Sequence, residues 1–350
     1  MSKRKLSRQQ RWRIEKVQAE RTQRAQSKDQ KAVQALEEGA LAEAVSGLIT
    51  AHFGRQVEVE ATAGALQGQR QRCHVRANVE SLVTGDQVTW RPALEQDQEQ
   101  IGVVEARQPR HSLLARPDMR GVMKAIAANV DRLMLVVAPE PEPFANLIDR
   151  YLVAAEDSDL EPVLVINKWD LVNQDKINPA IRQRLDDFIQ LYRQIGYQVI
   201  TTSTQSEEEL LGLKEQLKDR ISVFVGQSGV GKSSLINHLL PGVDLRVGSL
   251  SEDSRKGRHT TTTARLFHFP QGGMLIDSPG IREFALGFLE ADAIAQGFRE
   301  FRPFLGRCRF RDCRHQQDPG CALQEAVKAG QITASRFDSF QHLINSLDKT

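Results

Sequence analysis

The chain has 350 residues, enough for two or three domains, and its charged fraction of 26% and apolar fraction of 40% are those of a soluble globular protein. No apolar run approaches the length of a bilayer span, and the N-terminus lacks the apolar segment of a secretory signal, so we expect a cytoplasmic protein with no membrane partner. In that compartment the four cysteines indicate metal ligands or plain thiols rather than disulfides.

The formal net charge of +2 hides a basic N-terminus. We interpret residues 1–45 as a basic arm and linker, because residues 1–31 contain eleven lysines and arginines against Glu15, Glu20 and Asp29. Such an excess of positive charge favours a polyanionic partner, with RNA as the expected one. A solvated tail without a function is the alternative interpretation.

Residues 46–115 change to short, alternating apolar runs. Five of these runs are strand candidates: Leu48-Ile49, Val57–Val59, Cys73–Val75, Gln87–Trp90 and Ile101–Val104. This spacing predicts a small β-barrel, OB-like or SH3-like. OB barrels often bind nucleic acid, but the fold alone does not establish that function, and a purely structural barrel is the alternative. We interpret the following segment, Arg107–Ile126, as a polar connection.

Strands and helices alternate over residues 116–284. The predicted strands are Asp131–Ala138, Pro162–Ile166, Val199–Ser203, Ile221–Val225, Arg265–Phe269 and Met274–Ile276. The predicted helices are Leu147–Ala155, Ala180–Ile195, Leu210–Leu217 and Ser234–Leu240. Alternation of this kind predicts a multidomain α/β chain whose central domain is a doubly wound, mostly parallel sheet.

The segment Gly226-x-x-x-x-Gly231-Lys232-Ser233 is a complete P-loop between a predicted strand and a predicted helix. Its glycines let backbone N–H groups point at a phosphate, and the helix N-terminus adds positive potential there. Lys232 supplies a charge for the β- and γ-phosphates, and Ser233 offers a hydroxyl to Mg²⁺. The candidate phosphate-binding residues are Gly226, Gln227, Ser228, Gly229, Val230, Gly231, Lys232, Ser233 and Ser234.

The segment Asn167-Lys168-Trp169-Asp170 ends another predicted strand and is typical of a guanine site. The Asp170 carboxylate can accept hydrogen bonds from the ring N1–H and exocyclic amine of guanine, whereas adenine has no donor at N1. Asn167 would contact the base edge and the Lys168 stem would cover the base plane. Ser203 follows the next strand and is predicted to help hold the base from the other side.

Asp277-x-x-Gly280 follows the last predicted strand. Asp277 can hold Mg²⁺ through water, and the Gly280 N–H can contact a γ-phosphate. A threonine of the run 260–263 should complete the Mg²⁺ shell together with Ser233. The residues alone do not choose among these threonines, and we favour Thr261.

Ile281 occupies the position at which Ras-type enzymes carry a glutamine that orients the attacking water. We therefore predict slow intrinsic hydrolysis and completion of the site by a partner. The candidate catalytic residues are His259, Lys232 and Thr261, with His259 positioning water; a solvent-exposed loop histidine is the alternative interpretation. Arg258 and Arg282 are further candidates for a cis arginine.

Residues 285–350 are predicted to be helical and to bind zinc. Cys308, Cys313, His315 and Cys321 supply four ligands of the kind found in closed, structural Cys₃His sites. Four protein ligands leave no open position, so we predict no zinc catalysis. The alternative is a group of ordinary cytosolic thiols. Arginines between the ligands would give this module a basic surface suited to phosphate backbones.

The order of the motifs is unusual, because Asn167–Asp170 and Ser203 precede the P-loop and Asp277–Gly280 comes last. The sheet can stay the same after such a circular permutation. The permutation also joins Gly280 directly to the zinc-binding region, so a phosphate-dependent movement would be coupled to that region. With the barrel and the Cys₃His segment, this combination resembles the bacterial ribosome small-subunit-dependent GTPase family, RsgA or YjeQ, from about residue 46 to 347.

The resemblance implies an N-terminal OB barrel, a permuted GTPase domain and a C-terminal zinc domain. It also implies a late role in maturation of the 30S ribosomal subunit, with 16S rRNA as partner and GTP hydrolysis stimulated by the subunit. GTP or GDP, Mg²⁺ and one structural Zn²⁺ are the expected ligands; we expect a monomer and no DNA partner. A non-hydrolysing RNA-binding scaffold and an ATP-dependent kinase or ATPase are the alternative functions, although Asn167–Asp170 argues against the latter.

Overall fold

A computed structural model describes residues 41–54, 56–94, 101–117, 122–174, 176–243, 264–278, 281, 289–316 and 318–347. The basic arm before residue 41, the threonine-rich segment and Gly280 lie outside the described residues. The chain forms two compact units, Met1–Arg110 and His111–Thr350. The predicted domain boundaries between residues 115 and 116 and between residues 284 and 285 stay predictions.

The first unit contains a closed five-stranded barrel, as predicted. Its strands are β1 (Val45–Phe53), β2 (Gln56–Ala61), β3 (Arg70–Val75), β4 (Gln87–Arg91) and β5 (Gly102–Arg107). The circle runs β1-β2-β3-β5-β4 and closes by antiparallel pairing of β4 with β1; β3 and β5 are its parallel pair. The Trp90 ring fills the interior at 2% exposure. A Cβ on Gly47 would lie 2.4 Å from the Trp90 Nε1 atom, so only glycine leaves room for that ring.

The second unit begins with a β-hairpin that the sequence did not predict. Strands β6 (Leu113–Pro117) and β7 (Met123–Ala128) pair antiparallel, so the interpretation of Arg107–Ile126 as a polar connection is wrong. The exposed side chains of Leu113 and Met123 break the expected alternation of polar-out and apolar-in residues. Pro117 also suppresses a strand prediction, yet it ends β6, where the missing N–H is tolerated.

A six-stranded sheet forms the centre of the second unit. Its strands are β8 (Arg132–Val137), β9 (Glu161–Ile166), β10 (Gln198–Thr201), β11 (Ile221–Gly226), β12 (Arg265–His268) and β13 (Met274–Asp277). They lie in the order β10-β9-β8-β11-β13-β12, and every pair is parallel except that of β12 with β13. The predicted mostly parallel sheet is therefore confirmed. Its central strands β8, β9 and β11 are nearly continuous buried apolar runs, because helices cover both of their faces.

Helices connect the strands and then continue beyond the sheet. The helices of the sheet region are α1 (Ala145–Asp157), α2 (Asp170–Asn173), α3 (Pro179–Ile195), α4 (Glu207–Leu217) and α5 (Lys232–Leu239). The C-terminal helices are α6 (Ala291–Gly297), a 3₁₀ helix (Arg299–Phe304), α7 (Ala322–Lys328) and α8 (Ala334–Leu347). Across the residues that the structure describes, none of these helices has the length and apolar character required to cross a bilayer.

The first part of the C-terminal region, which was predicted to be helical, is divided into α6 and the 3₁₀ helix. Phe298 adopts an extended backbone, and this buries its ring completely and stacks it on Phe301 with centroids 4.7 Å apart. Pro303 favours the division as well, because its ring removes a backbone donor and restricts the residue before it.

A buried ionic cluster holds the C-terminal helices on α1. The Arg336 guanidinium of α8 contacts the Asp149 carboxylate of α1 and donates to Glu300 Oε1 at 2.6 Å. Arg336 and Asp149 are only 2% and 1% exposed, and the Tyr192 hydroxyl donates to the same Asp149 oxygen at 2.5 Å. Burial lowers the pKa of Arg336, but the charges of Asp149 and Glu300 outweigh that effect and keep the guanidinium protonated.

We expect Arg336→Met to destabilise the protein by about 3–5 kcal/mol, because it leaves two carboxylates unpaired in the interior. Arg302→Met is the matched control. Arg302 pairs with Glu156 at 2.7 Å, but its side chain is 45% exposed, and the loss of a surface pair should cost less than about 1 kcal/mol. Urea unfolding of both variants measures the difference, and equal destabilisation would contradict the assignment of the cluster as the anchor.

Candidate functional site

The P-loop connects the end of β11 to the start of α5. Gly226, Gly229 and Gly231 have φ angles of 136°, 82° and 90°, which L side chains rarely adopt. A Cβ on Gly226 would lie 2.1 Å from the Val136 carbonyl oxygen, so the loop also needs glycine for space. The loop leads into the N-terminus of the eight-residue helix α5, where free backbone N–H groups favour an anion.

Lys232 places its charge inside this loop. The Lys232 Nζ atom donates to the carbonyl oxygens of Gly226 and Gln227 at 2.9 and 2.6 Å. Its side chain therefore folds back over the loop that it follows in sequence. The predicted P-loop residues are brought together, and their geometry suits the β- and γ-phosphates of a nucleotide.

Two residues at the end of β9 bind directly to the P-loop. Asn167 Nδ2 donates to the Val230 carbonyl at 2.8 Å, and Lys168 Nζ donates to the Gly229 carbonyl at 2.8 Å. A Cβ on Gly231 would lie 2.4 Å from Asn167 Nδ2, so the two loops pack without space for a side chain. Asn167 is 3% exposed, and its buried Oδ1 has no hydrogen-bond partner among the described residues. The oxygen is an acceptor that a bound ligand can satisfy.

Asp170 is oriented by the loop that follows β10. The Ser203 hydroxyl donates to Asp170 Oδ1 at 2.6 Å and accepts from the Gln205 N–H at 3.1 Å. The Trp169 N–H donates to the Thr202 carbonyl at 3.1 Å, which joins the two loops. Ser203 is completely buried and supports Asp170 through this hydrogen bond; its predicted contact with a base stays a prediction. A carboxylate fixed in this way can accept from two adjacent donors of a guanine ring.

Asp277 ends β13, the parallel neighbour of β11, so it lies at the same edge of the sheet as the P-loop. Ile281 is 2% exposed, and its N–H donates to the Ser278 carbonyl at 3.1 Å. Its side chain belongs to the apolar interior and cannot orient water. The predicted roles of His259, Thr261 and Gly280 concern positions outside the described residues and stay predictions.

The structure adds a segment that the sequence did not select. The chain from Ala138 to Phe144, between β8 and α1, borders the P-loop. The Glu140 carbonyl accepts from Lys168 Nζ at 2.8 Å, and Pro141 Cδ lies 3.6 Å from the position of a Cβ on Gly229. The position of this segment could have identified it, because it follows the carboxyl end of β8, a parallel neighbour of the P-loop strand β11.

Four C-terminal side chains form a compact ligand set. The ligand atoms of Cys308, Cys313, His315 and Cys321 all lie within 4.8 Å of one another. His315 Nδ1 lies 3.5, 3.6 and 3.4 Å from the three sulfurs in the order Cys308, Cys313 and Cys321. Tetrahedral zinc with bonds of about 2.3 Å to sulfur and about 2.0 Å to nitrogen separates such atoms by about 3.5 Å. The set therefore fits Zn²⁺.

The surroundings of these ligands also suit a metal. Burial lowers the pKa of His315, so its imidazole is neutral and can coordinate. Burial raises the pKa of Cys313 to about 12, an effect that a bound Zn²⁺ reverses because it stabilises the thiolate. The Ala322 N–H, at the start of α7, donates to the Cys308 sulfur at 3.3 Å. This hydrogen bond holds the Cys308 sulfur in position beside the other ligands.

The geometry defines a class of protein: a P-loop nucleotide-binding protein with a guanine-type base site, in which the base-binding loops precede the phosphate loop along the chain. The RsgA GTPase family model matches residues 107–287. Small ribosomal subunit biogenesis GTPase RsgA of Ectopseudomonas mendocina is 55% identical over 99% of this chain and 98% of its own length. The protein of that description from Chromohalobacter salexigens is 58% identical over 99% of both chains. The chain belongs to the RsgA GTPase family.

Solved structures support the same placement. YjeQ from Thermotoga maritima matches with a TM-score of 0.71 and 32% identity, over 88% of this chain and all of that one. YloQ, described as a circularly permuted GTPase, matches with a TM-score of 0.67 over 88% of this chain and 96% of its own. At 24% identity this second likeness shows the fold alone. The permuted GTPase fold is therefore established for this chain.

We expect Gly231→Ala to lower GTP affinity at least tenfold, or about 1.4 kcal/mol. The new Cβ collides with Asn167 Nδ2 and requires a strained φ, so it separates the base-binding loop from the P-loop. Gly212→Ala is the control, because a Cβ there meets nothing within 4 Å. Titration with a fluorescent GTP analogue measures both variants, and wild-type affinity in Gly231→Ala would contradict the packing of the two loops.

We expect the purified protein to contain one zinc ion per chain and Cys313→Ser to lose it during dialysis against a chelator, since three ligands remain. Asp312→Asn is the control: Asp312 is adjacent in sequence but lies outside the ligand set. Metal analysis by atomic absorption reads the result. Stoichiometric zinc in Cys313→Ser would refute the proposed centre.

Proposed function

We propose that this protein hydrolyses GTP during biogenesis of the small ribosomal subunit and that the subunit itself, through its 16S rRNA, stimulates the reaction. Family membership and the name of the close relatives support the action on the small subunit. The observation that carries the stimulation is the burial of Ile281, because the position after the Asp-x-x-Gly motif contributes no water-orienting group.

The proposed roles follow from the position of each residue. Asp170, oriented by Ser203, accepts from guanine; Asn167 and Lys168 hold the base pocket against the P-loop. Trp169 is the remaining member of the base-binding segment. The phosphates lie against Gly226 to Ser234, with Gln227, Ser228, Gly229, Val230 and Gly231 contributing loop backbone and Lys232 contributing charge. Gly280 would contact the γ-phosphate.

Ser233, at the start of α5, and Asp277, at the end of β13, offer the oxygen ligands that Mg²⁺ prefers, and Thr261 is the proposed third protein ligand. The ion would neutralise the charge of the β- and γ-phosphates.

His259 is the proposed water-positioning residue of this chain. Zinc at Cys308, Cys313, His315 and Cys321 would have a structural role, since four protein ligands leave no open position. We propose further that the protein acts in the cytoplasm as a monomer.

We expect Asp170→Asn to weaken GTP binding and improve binding of xanthosine triphosphate. The asparagine amide can donate to the extra carbonyl oxygen of xanthine, but it loses the charged acceptor that guanine requires. The change in preference should be at least about tenfold, or about 1.4 kcal/mol. Competition between the two nucleotides measures it, with Asp186→Asn as control, because the Asp186 side chain on α3 is 53% exposed. An unchanged base preference would refute the guanine assignment.

We expect GTP turnover to be slow for the isolated protein and to rise severalfold or more when small ribosomal subunits are added. His259→Ala should reduce the stimulated rate more than the GTP affinity. Large subunits serve as the control for a general effect of ribonucleoprotein. Equal turnover with and without small subunits would contradict the proposed function and favour a nucleotide-binding scaffold.

A further inference from the structure

The segment 307–314 presents a concentrated positive surface. It contains Arg307, Arg309, Arg311 and Arg314 against the single acidic residue Asp312, and all four arginines are exposed. The described part of the chain offers none of them an ion pair, whereas Arg70, Arg91 and Arg110 of the barrel unit are each paired with a carboxylate. We call Arg307, Arg309, Phe310, Arg311 and Arg314 the arginine face. Its free guanidinium groups suit a polyanionic partner.

An exposed aromatic ring lies within this charge. Phe310 is 46% exposed, and the Arg309 guanidinium lies 5.5 Å from the centroid of its ring. An aromatic ring beside guanidinium groups is the arrangement that stacks unpaired nucleic-acid bases. Duplex nucleic acid offers no such base face, because its bases are already stacked.

A polar cleft adjoins the arginine face, and its chemistry favours a nucleic acid over an acidic protein as the partner. The cleft of 480 Å³ is lined by Arg314, Gln316, Asp318, Pro319, Gln341 and Asn345. The Nε2 groups of Gln316 and Gln341 already donate to Asn345 Oδ1 and to the His315 carbonyl, so the cleft offers mainly acceptors, which suit the amino and imino donors of base edges. A partner that offered only carboxylates would have no use for these acceptors or for the Phe310 ring.

The zinc ligands hold the arginine face in place. Cys308 and Cys313 flank Phe310 in sequence, and the His315 carbonyl accepts from Gln341 Nε2 of α8 at 2.5 Å. The segment is therefore ordered before a partner arrives, which reduces the entropic cost of binding.

We propose that the arginine face binds single-stranded RNA, with an unpaired base stacked on Phe310 and the phosphates contacted by the arginines. The inference rests on the proposed action at the small ribosomal subunit and specifies what this face contributes: recognition of an unpaired segment of RNA.

The test uses the zinc-loaded full chain and a short oligouridine that contains 5-iodouridine. Irradiation should cross-link the oligonucleotide to Phe310, identified by mass spectrometry. Phe310→Ala should lower affinity for the oligouridine roughly tenfold, the scale of one lost base stack, and change affinity for an RNA duplex less than about twofold. Phe310→Tyr should bind like the wild type. Phe144→Ala is the control, since Phe144 is 58% exposed but lies outside the arginine face.

Cross-links confined to other segments, or an equal loss of single-stranded and duplex binding in Phe310→Ala, would overturn the inference. Displacement of the oligouridine by polyglutamate as effectively as by unlabelled oligouridine of equal charge would also overturn it, because the face would then recognise charge alone. If small subunits still stimulate wild-type turnover, any of these three results would leave the proposed function standing. Absence of that stimulation in the wild type would contradict the proposed function instead.

Discussion

Two hydrogen bonds, from Asn167 Nδ2 to the Val230 carbonyl and from Lys168 Nζ to the Gly229 carbonyl, hold the two loops of the nucleotide site together. They join the loop after β9 to the loop after β11, which are separated by more than fifty residues. The absence of a side chain at Gly231 lets the loops approach closely enough for these bonds. These bonds require only that the two loops lie close together in space, so they form although the base-binding loop precedes the P-loop in sequence.

The C-terminal region depends on a second constraint of the same kind. Arg336 of α8 pairs with both Asp149 of α1 and Glu300 in the interior, and removal of one partner from such a cluster is costly. Helix α1 begins directly after the segment in which the Glu140 carbonyl binds Lys168. The helix that supports the zinc-binding region therefore starts beside the nucleotide site, and this contact adds to the covalent connection through Gly280.

Features with a local spacing could be predicted from the sequence. The P-loop, the Asn167–Asp170 segment and the four zinc ligands are each contained in a short stretch, and the sheet strands are long buried apolar runs. Contacts between distant residues could not be predicted. Arg336 and Asp149 are 187 positions apart, and nothing in the sequence around either residue indicates that they pair. Ser203 was predicted at the site, but its contact with Asp170 required the packing of two loops.

A ligand that has no base tests whether the base-binding loop also holds the phosphate loop in shape. Isothermal titration with inorganic tripolyphosphate compares the wild type with Asn167→Ala and Asp170→Asn. The structure predicts that Asn167→Ala weakens tripolyphosphate binding roughly threefold or more, the scale of one lost buried hydrogen bond, whereas Asp170→Asn leaves it unchanged. Wild-type tripolyphosphate affinity in Asn167→Ala would show that the base-binding loop does not hold the phosphate loop in shape.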